Sequence, residues 1–302
     1  VNVDALAPPA ARQGPGPIAQ PLLESLDVAV NRMVARLQPG DRRATGVGLG
    51  TELAQLRPYE VGDDVRHVDP AASARTGQIH VRQHVPERTL TTWILLDLSP
   101  SMAFGTALRL KADVAEGVAL TFARLGVRRA GSVGLVSFGA AAPRILAPRG
   151  AKPGVVAVTR LLAQGVAPDG QHDSQALADG ARRLARLARQ PGLVVVVSDF
   201  RDQEGWERSV GSLALRHAVL AVEISDPREG ELPDVGSLAL IDPESGARAH
   251  VDTSRREIRE RFAALERKRR EGVARELRRL RIGHVRLSTG DEWLRELGRQ
   301  LQ

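Results

Sequence analysis

The chain has no cysteine in its 302 residues, which excludes disulfides, thiolate-bound zinc, iron–sulfur clusters and cysteine nucleophiles. Aromatic residues make up only 3% of it. The core must therefore be built from Val, Leu, Ile and Ala, a composition that favours sheets covered by Ala/Leu-rich helices over an aromatic-rich β-sandwich. No apolar run reaches the ~18 residues of a membrane span. No basic n-region precedes an apolar segment, so no secretory signal is read and a cytoplasmic protein is expected. Missing too are a Gly-x-x-x-x-Gly-Lys nucleotide loop, a Gly-x-Ser-x-Gly elbow and a His-Glu-x-x-His pair. The seven histidines are scattered; His67, His80 and His84 come closest to a zinc cluster, with exposed polar residues the plainer reading. No internal repeat of 20–50 residues is visible.

What is present begins with charge. The net charge is +7, and residues 255–281 alone hold twelve Lys/Arg against five Asp/Glu. One segment thus carries the basic excess. Apolar residues at Ile258, Phe262, Leu265, Val273, Leu277 and Leu280 predict one amphipathic helix over 254–282, apolar face on the core and Arg/Glu face in solvent.

The stretch Trp93–Met102 organises the rest. Trp93 to Leu96 is a continuous apolar run, suited to a strand buried on both faces of a parallel sheet. It stops at Asp97-Leu98-Ser99-Pro100-Ser101, where Pro100 cannot donate to a ladder. Ligands of open α/β sheets collect beyond the carboxyl ends of strands. A carboxylate and two hydroxyls there form an oxygen-only set suited to Mg²⁺, Mn²⁺ or Ca²⁺; the plainer reading is local capping of a turn. The run 193–200 ends in Ser198-Asp199-Phe200 and brings a second carboxylate to the same edge. Helices expected over 22–37, 110–126, 155–162, 174–189 and 206–217, and strands over 132–138, 218–225 and 284–289, alternate as in a doubly wound, mostly parallel sheet. A short arm is expected at 145–150, and loop with hairpin over 232–252. Residues 1–20, with four prolines, read as a disordered tail, 21–90 as a helix followed by a β-rich extension, and 91–302 as the main domain. The many Arg and Asp between Arg57 and Arg82 suggest an ion-pair network bracing that extension against the sheet.

The Asp-x-Ser-x-Ser turn resembles the metal-ion-dependent adhesion site of von Willebrand factor A domains. Together with LRPYEVGDDVRHVD (56–69) and SARTG (73–77), the chain resembles the MoxR-associated family called domain of unknown function 58, over roughly residues 40–300. The resemblance implies a von Willebrand A-like fold and a non-enzymatic interaction module. It also implies a MoxR-type AAA+ ATPase partner, acting in assembly or maturation of an unidentified client protein. It places metal ligands at Asp97, Ser99, Ser101 and Asp199. In the middle loop Gln171 stands where the family has threonine, so the metal ligand expected there is either the Gln171 side-chain carbonyl or Asp173 in place of the hydroxyl. A second departure is Pro70, where tryptophan is common. On this reading a partner's carboxylate displaces water from an octahedral Mg²⁺. The rivals are nucleic-acid binding through the Arg-rich helix 254–282, which lacks exposed aromatic stacking residues, and a metal-dependent hydrolase, for which Ser99 stands where an aspartyl phosphatase needs a second carboxylate.

Overall fold

The computed structural model describes residues 13–37, 53–84, 90–128, 130–170, 173–201 and 204–302. Helix α1 (Gln20–Leu37) buries Leu23, Leu26, Val30 and Val34, the stripe expected from their spacing. It packs with the main sheet domain, so it is part of that unit and not of the extension. Residues 13–19, expected within a disordered tail, are instead tied to the same unit. The Trp293 indole donates to the Pro15 carbonyl at 2.9 Å, which satisfies a buried N–H.

Residues 40–89 form a separate unit. Its described part pairs β1 (Leu53–Pro58) antiparallel with β2 (His80–His84), around the short helix α2 (Pro70–Thr76). The unit is thus as much helix and turn as strand. Asp69 caps α2 by accepting from Ala72 N–H at 2.8 Å, and Pro70 takes the first helical position, where its missing N–H is harmless. The Arg57 guanidinium forks onto Asp63 at 2.8 and 2.6 Å, an ion pair internal to the unit. The His80 Nδ1 is engaged by Thr76 and Gln78, and no three metal-binding side chains cluster among the described residues.

The apolar runs become the centre of a six-stranded sheet of order β10-β7-β6-β3-β4-β5. Its strands are β3 (Thr91–Asp97), β4 (Ser132–Phe138), β5 (Ile145–Gly150), β6 (Leu193–Ser198), β7 (Ala218–Ser225) and β10 (Gly283–Ser288). All neighbours are parallel except β4 and β5. The first three strands run outward one way from β3 and the last three the other way, a doubly wound arrangement with its switch point between β3 and β6. Alternation along the strands divides the core. Ile94, Leu96, Val195, Val197, Leu220 and Val222 face α1, α3 (Lys111–Gly126), α4 (Ala151–Leu162) and α8 (Trp293–Leu301). Trp93, Leu95, Val194, Val196, Val219 and Ala221 face α5 (Ala176–Leu187), α6 (Trp206–Ala214) and α7 (Arg256–Arg279). β8 (Ser237–Ile241) and β9 (Arg248–Asp252) form a hairpin outside this sheet. Edge strand β5 carries Pro148 and presents mostly exposed side chains.

The long basic helix departs from its expected packing. Val273, Ala274 and Leu277 are buried, but Leu265 is 60% exposed. The middle of α7 turns charge inward instead, through Glu266 and the partly buried Arg269 and Arg270. Among the described residues, no helix is long and apolar enough to cross a membrane.

Gly139, directly after β4, has φ +78°. A Cβ there would lie 2.7 Å from the Ser99 backbone nitrogen, so only glycine lets this strand end close on the Asp97 turn. Gly139→Ala is expected to cost about 2–3 kcal/mol, from the left-handed backbone and the overlap together. Urea denaturation checks this; a loss under about 0.5 kcal/mol would show that the turn yields freely.

Candidate functional site

The parallel sheet brings Asp97 of β3 and Asp199, just past β6, to one edge, where both are buried. Asp97 Oδ1 accepts from Ser99 N–H at 2.9 Å and Oδ2 from the Ser198 hydroxyl at 2.6 Å. The Ser99 and Ser101 hydroxyls bond each other at 3.1 Å. Phe200 follows Asp199 with φ +52°, a left-handed conformation that is unusual for a bulky residue. The turn sends Arg201 N–H back to Asp199 Oδ1 at 3.0 Å. Of the sequence-derived site residues, Asp97, Ser99, Ser101 and Asp199 are thus brought together. Asp173, by contrast, is exposed and accepts from Gln175 N–H at 2.9 Å, two residues on, in a turn just ahead of α5. Gln171 lies outside the described residues.

The partner of Asp199 is a lysine that sequence reasoning missed. Lys111, at the first position of α3, has no solvent-exposed surface. Its Nζ donates to Asp199 Oδ2 at 2.6 Å and Glu229 Oε1 at 2.5 Å. The signal was present in outline, because Lys111 sits one turn before Val114 and Ala115 on the buried face of α3. The ion pairs extend outward from there. Arg201 lies 3.1 Å from Glu229 and 3.0 Å from Glu266. Arg269 donates to the carbonyls of Asp199 and Phe200 at 3.3 and 3.2 Å, fastening α7 to the end of β6. Glu223, inside β7, meets His284 at 3.0 Å and Arg269 at 3.6 Å. Asp226 accepts from both Thr106 groups and from the Thr289 hydroxyl, tying the loop before α3 to the ends of β7 and β10.

These contacts separate the two carboxylates electrostatically. Burial raises the Asp97 pKa, with the Asp199 charge adding to it, to about 7. Burial acts on Asp199 in the same direction, but the Lys111 ammonium overrides it and holds the pKa down at about 2. The same attraction keeps Lys111 charged despite its burial. One ammonium holds one of two neighbouring acids ionised, and the other keeps its proton up to about pH 7.

The arrangement can be tested for the dication that the resemblance implies. An octahedral Mg²⁺ with bonds of ~2.1 Å sets adjacent oxygens ~3 Å apart, and the serine hydroxyls have that spacing. The rest of the donor set does not fit. Asp199 is held by an ammonium and a backbone N–H, and both Asp97 oxygens accept from protein donors. A further carboxylate, Glu244, already accepts from Ser101 N–H at 3.0 Å. The positive charge beside Asp199 in this structure is the Lys111 ammonium.

Beside this cluster lies a cavity of about 200 Å³, lined by Ser101, Phe104, Lys111, Arg201, Glu229, Glu244 and neighbouring residues. Its rim is apolar and accessible at Phe104, 39% exposed, and Ile241, 58% exposed. The Arg-rich face of α7 is laced with ion pairs, among them Arg256–Glu260, Arg270–Glu266 and Arg279–Glu276.

Comparison with known proteins agrees with the sequence pattern. The model of the family described as "Protein of unknown function DUF58" matches residues 55–272. The chain is 36% identical over 282 residues to the uncharacterized protein Rv1480 of Mycobacterium tuberculosis, covering 92% of this chain and 87% of that protein. Among solved structures it is similar to the conserved hypothetical protein BatB from Bacteroides thetaiotaomicron, with TM-score 0.42 and 13% identity over 70% of this chain and 96% of that one. It is also similar to the SpRpn10 VWA domain, with TM-score 0.33 and 17% identity over 45% of this chain and 76% of that one. The chain belongs to the DUF58 family.

Proposed function

We propose that this DUF58 protein is a non-enzymatic protein-interaction module whose von Willebrand A-like domain receives a partner at the carboxyl edge of its sheet. The observation that carries the reading is the cavity beside the Ser99–Ser101 turn, with exposed apolar groups at its rim and buried charge at its base. Exposed apolar side chains grouped around a concavity are what a protein partner covers. The sheet order, with one antiparallel edge strand, supports the von Willebrand A-like assignment. An enzymatic role is not favoured. The serine hydroxyls engage each other, and the basic groups beside them are held in ion pairs, whereas a nucleophile needs a free base. On this proposal Lys111 replaces Mg²⁺, and the partner is a MoxR-type AAA+ ATPase acting with this protein in assembly or maturation of a client.

The test is binding of the purified MoxR-type ATPase from the same genome, by interferometry, with and without nucleotide. Phe104→Ala combined with Ile241→Glu, the two exposed rim positions, is expected to weaken binding by about tenfold or more while leaving stability within about 1 kcal/mol. Binding unchanged by this pair, or absent in every nucleotide state, would sink the proposal. Mg²⁺ titration of the wild type by calorimetry is expected to give no stoichiometric heat. A saturating signal lost in Asp97→Ala would restore the metal.

A further inference from the structure

Among the described residues the β8–β9 hairpin is joined to no other sheet, and its side chains are mostly exposed, with Leu238, Leu240 and Val251 half-buried. Its tip is different. Glu244 is only 6% exposed, and its Oε1 accepts the Ser101 backbone N–H at 3.0 Å, across 143 residues of sequence. The Ser99 and Ser101 hydroxyls, bonded to each other at 3.1 Å, flank this contact. The adjoining Pro243 carbonyl accepts Gly170 N–H at 2.9 Å, so the tip bridges the first and middle loops of the edge. The turn carrying Glu244 is rigid by itself. Asp242 accepts from Glu244 N–H at 3.1 Å and Ser245 N–H at 3.2 Å, and Gly246 follows at φ +72°.

We infer that Ser99, Ser101 and Gly170 form a socket for a carboxylate presented on a β-turn, and that Glu244 occupies this socket in cis until an acidic turn of a partner protein displaces it. The donors are complementary to that ligand: the Ser101 N–H takes the acid, and the Gly170 N–H takes the carbonyl of the residue before it. A lone structural glutamate could satisfy the Ser101 N–H. It would not require a separate hairpin to deliver it, or a cavity beneath the hairpin lined by Leu240, Ile241 and Pro243 from the arm itself. The inference rests on reading this edge as a protein-binding surface, and it adds the chemistry of the ligand and the state of the free protein.

The test uses the full chain and a fluorescein-labelled synthetic peptide of residues 237–252. Glu244→Ala is expected to bind this peptide about 10- to 100-fold more tightly than the wild type does, the value of one charged hydrogen-bonded group. The same peptide with glutamine in place of its glutamate is expected to lose that gain. Equal binding by wild type and variant, or equal binding of the two peptides, overturns the inference. A second measurement needs no variant. In wild-type hydrogen exchange, the amides of 237–252 are expected to open together about 100-fold faster than those of β3 and β6, as a lid does. Exchange of the hairpin only with the core overturns it equally. If both results hold and no MoxR-type ATPase binds, the socket stands and only the proposed partner fails.

Discussion

Replacing Lys111 by methionine is expected to cost about 3–5 kcal/mol of folding stability, because it strands buried carboxylates without a countercharge. The side chain is of similar length and apolar, so the loss reads the charge rather than the volume. Asp199 loses its ammonium partner outright, whereas Glu229 keeps Arg201 at 3.1 Å. Adding Asp199→Asn to Lys111→Met is therefore expected to recover at least half of the loss. Equilibrium urea denaturation of wild type, both single variants and the double variant measures the coupling directly. A Lys111→Met protein within about 1 kcal/mol of wild type would mean that the ammonium is dispensable, and that the edge tolerates a free carboxylate as a metal site does.

The second large effect is a dependence on pH. Asp97 has a pKa of about 7 in the folded protein, against 3.8 ordinarily. Between those values the folded state holds a proton that the unfolded state has released. Stability must then fall as pH rises from about 4 to about 7. Asp199 acts oppositely. Its folded value of about 2 lies below 3.8, so its contribution is present above about pH 4 and lost as pH falls towards 2. The wild type should therefore be most stable near pH 4, losing about 3–4 kcal/mol by pH 8 if Asp97 acted alone. Asp97→Asn mimics the protonated acid and is expected to remove the decline between pH 4 and 7, leaving the variant more stable than wild type at pH 8. Urea midpoints across that range decide it. Parallel curves for the two proteins would show that Asp97 is ionised throughout.

Much of the scaffold was legible in the sequence, because its signals are local. Continuous apolar runs gave the inner strands, and spacings of three and four gave the helices. Asp97 and Asp199 could be placed on one edge because parallel strands must end together. The residues that complete the site lacked such a signal. Lys111 meets Asp199 across 88 residues, and Glu244 meets Ser101 across 143. Neither separation leaves a periodic trace. Asp173 is bound locally, by the Gln175 N–H two residues on, a contact that sequence spacing alone does not reveal. The stripe on α7 failed at Leu265 because charge, rather than apolar surface, faces the end of β6.

The antiparallel edge strand also bears on how copies of this protein meet. An open sheet edge is a template on which another chain's strand can polymerise. At β5 that template is spoiled: Pro148 lacks an N–H, Arg149 is exposed, and the register with β4 shifts between Val133 and Leu135. Growth of the sheet by strand addition is blocked on this flank, so neither a second copy nor an extended peptide can lengthen it there. On this flank a partner is left to approach across the strand ends, where the backbone has no ladder to offer and recognition falls to side chains and turns.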